Sequence, residues 1–79
     1  MNLNSPWTLA DAPLGRLVRI SEIQSHPDVC MRLRELGFCV NAIIRCLTRG
    51  NGNVICEVCN SRLGLNHSVA STIFVSTFE

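Results

Sequence analysis

A chain of 79 residues, 47% hydrophobic and only 16% charged, has the composition of one folded domain and not of a disordered tail. Seven basic residues, all of them arginine, stand against six acidic ones for a net charge of +1, which leaves no basic footprint for a nucleic acid. Aromatic residues at 5% also speak against a base-stacking surface.

A domain of this size buries only about 60–65% of the surface its unfolded chain exposes, so a deep, water-excluding active site is not expected. No stretch approaches the roughly 20 apolar residues of a membrane span. The start, Met1 to Trp7, lacks the basic and apolar regions of a secretory signal. The expected location is therefore the cytoplasm, with Cys30, Cys39, Cys46, Cys56 and Cys59 as free thiols.

In chain order, residues 1–8 are expected to be a loosely held N-terminus and residues 9–79 the domain. Ala12-Pro13-Leu14-Gly15 predicts a type I turn, with proline second and glycine fourth. A strand over 16–22 follows, with Val18 and Ile20 on its inner face. The one helix is predicted at about 26–37. Ser25 and Asp28 have the spacing of a capping box, and Pro27 fits the first turn. Val29, Leu33 and Leu36 recur at i, i+4 and i+7 as a stripe for the core. Gly37 supplies a left-handed C′ residue, after which Phe38 can fold back on the last turn.

Beyond residue 42 the hydrophobic period becomes two. A strand over 42–49 points Ile44 and Cys46 inward, and Gly50-Asn51-Gly52-Asn53 is a hairpin turn. The return strand, 54–59, carries Val54, Cys56 and Val58 on one face. Asn60-Ser61 is read as a second tight turn before a strand over 62–65. Asn66 is placed to cap a short helical turn near 67–71. The last strand, 72–76, turns Ile73 and Val75 inward. The fold class is thus mainly β: a small barrel of about five strands with one inserted helix, closed or nearly so, because closure removes exposed edges.

Three stretches carry a family likeness. They are Leu9-Ala10-Asp11 with Gly15-Arg16-Leu17-Val18-Arg19-Ile20, then Arg32-Leu33-Arg34-Glu35-Leu36-Gly37-Phe38, then Ser61-Arg62-Leu63-Gly64-Leu65 followed by Ala70, Ile73 and Val75. In order and spacing, over about residues 9–75, the chain resembles the FeoA family, small cytosolic partners of the bacterial ferrous-iron transporter FeoB. It departs from the family at Val40-Asn41, usually Pro-Gly, at Asn60, usually Gly, and at Asn66, usually basic. Asparagine tolerates a left-handed backbone better than other non-glycine residues, so the first two turns can survive.

The resemblance implies an SH3-like barrel and a non-enzymatic accessory or regulatory protein of ferrous iron uptake that binds a FeoB-type transporter. It would then touch the membrane only through that transporter and bind no nucleic acid; a homo-oligomer is left open. The alternative is a metal-sensing SH3-like domain, related to the C-terminal domain of iron- and manganese-dependent repressors. Such a repressor also needs a helix-turn-helix and a metal-binding dimerisation domain, and a start at Met1 without either favours the stand-alone form.

Cys56-x-x-Cys59 has the spacing of half a zinc site. On a strand, however, i and i+3 point to opposite faces, and no second pair completes four ligands. Packing is the better reading for Cys56, and for Cys46 on the neighbouring strand, whose thiols can come close. No metal site is assigned; the candidate ligands are His26, Asp28 and His67, and Fe2+ or Zn2+ is the ion such a set would take. The plainer reading has Asp28 capping the helix and His26 exposed in a turn. No cofactor is expected. Neither Cys30 nor Cys39 lies in a nucleophile motif, and a chain without lysine has no phosphate-loop lysine. Met31, Arg34, Gly37 and Phe38, off the core stripe or at the helix end, are the candidate partner contacts.

Overall fold

The structure, a computed structural model, describes residues 7–78. Its elements are β1 (Trp7–Thr8), β2 (Leu17–Ile23), α1 (Pro27–Glu35), β3 (Ile43–Gly50), β4 (Asn53–Val58), β5 (Ser61–Asn66), α2 (His67–Ala70) and β6 (Ile73–Thr77). All strands join one antiparallel sheet in the order β1-β6-β2-β3-β4-β5. Register shifts at Ile20/Glu22 on β2 and at Cys46/Thr48 on β3 each insert one residue; such bulges bend and twist a strand. The inward rows predicted from period two are the observed core: Val18, Ile20, Ile44, Cys46, Val54, Cys56, Val58, Ile73 and Val75 are all buried.

Six strands stand where five were expected, and the barrel is not closed. The extra strand is β1, with Trp7 opposite Val75 and Thr8 opposite Phe74. These two residues belonged to the predicted loose terminus; the rest of that segment lies outside the described residues. Asp11 ends the strand at once, its carboxylate accepting from the Thr8 amide at 2.7 Å. So short a pairing carries no periodicity. The Pro13 turn also sits one residue later, at Leu14–Gly15, with Gly15 at φ +78°.

Helix α1 is shorter than predicted at both ends. His26 is its N-cap and makes no side-chain cap bond. The predicted cap, Ser25, instead hydrogen-bonds the Thr72 hydroxyl, 47 residues away in sequence. At the other end the Phe38 amide donates to the Leu33 carbonyl at 2.8 Å and the Gly37 amide to the Arg34 carbonyl at 3.1 Å. This is the Schellman pattern, and Gly37 has the left-handed φ of +102° that it requires. Both hairpins use two-residue loops with positive φ at each central residue, as type I′ turns do: Asn51 and Gly52, then Cys59 and Asn60. The second turn is therefore one residue earlier than predicted, because a cysteine occupies a left-handed position that few side chains adopt. Asn41, at φ +76°, takes the place of the family's usual glycine.

Gly37 combines positive φ with crowding: an added Cβ would lie 3.3 Å from both Val58 Cγ2 and Cys59 Sγ. Gly37→Ala is expected to destabilise the domain by about 1–3 kcal/mol, read as a lower urea midpoint with an unchanged slope.

Candidate functional site

The helix is held against the sheet more lightly than its apolar stripe suggests. Of its residues only Leu33 is buried. Val29 is half-buried, and Leu36, predicted for the core, is 44% exposed. The place expected for Leu36 goes to Phe38, which the Schellman turn drives into the core, 0% exposed. Phe38 therefore offers no surface to a partner, a correction to its reading as a contact residue.

The stripe left over forms one wall of a groove. Asp28, Val29, Arg32, Leu33 and Leu36 face Gly64, Leu65, Asn66 and Val69 across a space of about 310 Å³. A second hollow of about 520 Å³ continues it towards the helix start, between Gln24, Ser25, His26, Pro27 and Val29 on one side and Ser68, Val69 and Thr72 on the other. Val29 and Val69 line both.

Local chemistry sets the far wall. The Asn66 side chain accepts from the Val69 amide at 2.8 Å and caps α2, as predicted. Thr72 Oγ1 donates to the Val69 carbonyl at 2.7 Å and closes the same turn. Together these bonds fix Val69 in the groove. Gly64 contributes no side chain, and a Cβ there would press on Ile55 Cδ1 at 3.3 Å. A glycine inside a strand marks a place where another backbone can approach. Among the described residues strand β5 is also a sheet edge, paired only with β4. An apolar cleft beside a bare strand edge is suited to holding a peptide segment.

The predicted site residues divide. Met31, 59% exposed, and Arg34 are on the surface of α1. Gly37 is half-buried over Val58 and Cys59. His26 borders the groove, Asp28 lies two residues along the helix, and His67 opens α2. Among the described residues no three His, Cys, Asp or Glu side chains come together as a metal cluster, so these three form no joint ligand set. Cys56 is buried on β4, whereas Cys59 is exposed in the turn that follows and not on the strand where it was expected. The residues missed by sequence reasoning are Leu36, Gly64, Asn66 and Val69 as a groove lining. The lone glycine within a strand at position 64 was the available signal.

A six-stranded antiparallel sheet with one helix of nine residues and one of four defines a small, mainly β, SH3-like domain. The sequence model of the FeoA domain matches residues 7–77, and the chain belongs to that family. The fold is shared with the FeoA protein from Chlorobium tepidum (TM-score 0.83, 19% identity, 91% of this chain and 70% of that one). It is shared with an iron uptake regulatory protein, FeoA (0.80, 18%, 87% and 93%). The zinc-bound ScaR structure is likewise similar (0.84, 20%), but there the match covers 99% of this chain and only 40% of the other. No curated protein sequence matches. Among the described residues no helix is long and apolar enough to cross a membrane.

Exchanging core for surface separates the two classes of candidate. Phe38→Ala is expected to cost about 3–5 kcal/mol of stability, whereas Met31→Ala should stay within about 0.5 kcal/mol; chemical denaturation of the two variants checks this. Asn66→Ala removes the α2 cap and should cost about 0.5–2 kcal/mol by the same measurement.

Proposed function

We propose that this protein is a non-enzymatic, cytoplasmic accessory of ferrous iron uptake that docks a cytosolic segment of a FeoB-type transporter in the groove between α1 and the β5–α2 corner. What carries the reading is the groove itself: an apolar cleft beside an unpaired strand edge, in a chain of the FeoA family. An extended segment laid along β5 would gain main-chain hydrogen bonds from the edge, and alternate side chains would enter the cleft. Val29, Leu36 and Val69 supply apolar contact, while Arg32 and Asp28 orient the segment. The mechanism is binding, with no bond made or broken. The fold is shared with a metal-bound repressor, but among the described residues no cluster of metal-ligating side chains accompanies it, and metal sensing is the lesser reading.

Titration of the transporter's cytosolic domain into the reduced protein, by calorimetry, is the test. Saturable binding is expected, and Leu36→Asp should weaken it at least about tenfold, or ~1.4 kcal/mol, with the melting temperature unchanged. Absence of binding with and without Fe2+ and guanine nucleotide would overturn the proposal.

A further inference from the structure

Two thiols of the core take no part in the groove. Cys46 and Cys56 are directly opposed across the β3–β4 pairing, both fully buried, with their sulfurs 4.0 Å apart. Opposed residues on antiparallel strands have Cα atoms about 4.5–5.5 Å apart, inside the roughly 4.4–6.8 Å range a disulfide accepts. Rotation about the two Cα–Cβ bonds, with a small closure of the strands, is what joining them requires. A single buried cysteine is an inert apolar residue; two facing each other at this distance are a dithiol.

We infer that Cys46 and Cys56 are a reversible oxidation site, at which a two-electron oxidant of the peroxide class converts the dithiol into a cross-strand disulfide. The Cys46 thiolate attacks the peroxide, breaking its O–O bond and becoming a sulfenic acid while hydroxide leaves and is protonated to water. The Cys56 sulfur then attacks the sulfenic sulfur. The S–S bond forms, the S–OH bond breaks, and the oxygen leaves as a second water carrying the Cys56 proton. Two thiols are oxidised, one peroxide is reduced, and the disulfide is returned by an external thiol.

The surroundings favour Cys46 as the attacking sulfur. Hydrogen bonding from the Cys56 thiol and the positive charge of Arg49 hold Cys46 below the usual thiol range, against the opposing effect of burial. Cys56 is pushed up by its partner sulfur and by burial, and keeps its proton. The segment that covers Cys46 is the loop after β1. The Leu9 carbonyl lies 3.8 Å from Cys46 Sγ, and the Arg49 guanidinium donates to the Ala12 carbonyl and, at 3.5 Å, to that of Leu9. The Gly15 amide donates to the Cys46 carbonyl at 2.7 Å. Leu9 and Ala12 are themselves buried, so an oxidant reaches the pair only when this segment, which carries a strand of just two residues, opens locally.

The test is graded hydrogen peroxide on the full-length chain, then denaturation, alkylation of the remaining thiols, intact mass, and tryptic mapping without reductant. The expected result is a paired loss of two alkylatable thiols, a cross-link between the peptides spanning 46–49 and 50–62, and full recovery with dithiothreitol. The variant Cys30→Ser, Cys39→Ser, Cys59→Ser keeps both core thiols in place and should form the same bond. Cys46→Ala and Cys56→Ala should each abolish it. Thiols lost one at a time, a cross-link through Cys59 instead of Cys56, no cross-link in the triple variant, or oxidation of Cys46 that dithiothreitol does not reverse would each overturn the inference.

Discussion

Helix α1 is joined to the rest of the molecule at its C-terminal end. The Schellman bonds at Leu33 and Arg34 reverse the chain at Gly37, which sits against Val58 and Cys59, and send Phe38 straight into the core. Leu33 and Phe38 are the two side chains of this region that reach full burial, and they are joined by a backbone hydrogen bond of 2.8 Å. With that corner fixed, the earlier turns of the helix pack on the core more lightly, through the half-buried Val29. The groove beside Val29 and Leu36 follows from the anchoring: a helix packed along its whole stripe would have filled it.

The second boundary of the groove depends on where the sheet stops. Strand β5 ends in Asn66, whose side chain begins α2 instead of continuing the ladder. Among the described residues no further strand pairs with the other side of β5. An unpaired edge of this kind is a hazard that proteins usually blunt with charge or cover. Here Arg62 lies on the strand, and α1 faces the C-terminal end of β5 across the cleft.

The sequence was most legible where one face of a strand meets the core. Val18 and Ile20, Ile44 and Cys46, Val54 through Val58, and Ile73 with Val75 all stand where a period of two placed them, because a one-residue slip would turn the whole row to solvent. The Asn-Gly hairpin and the Asn66 cap were legible for the same reason: each is a short-range interaction between neighbours. What escaped were features set by partners distant in the chain. Ser25 has the spacing of a helix cap but finds Thr72 across the fold. Leu36 has the spacing of a core residue but loses the position to Phe38. β1 exists only because β6 arrives beside it. The groove was illegible as a whole, since it is the space left between elements whose separation no local pattern encodes.

The thiol pair and the groove lie on different parts of the same economy of size. A domain of 79 residues has one core and little surplus around it. A ligand site must then be built at its margin, where the helix lifts, and any chemistry inside must use groups that also pack. Cysteine suits that second role because the thiol fills space as a small hydrophobe and remains oxidisable. A serine pair at positions 46 and 56 would place two hydroxyls in an apolar interior at the cost of their hydration. An alanine pair would leave unfilled space between β3 and β4. The residue that satisfies packing on both strands is thus also the one that can join them, and the bond between structure and reactivity at this position needs no separate site.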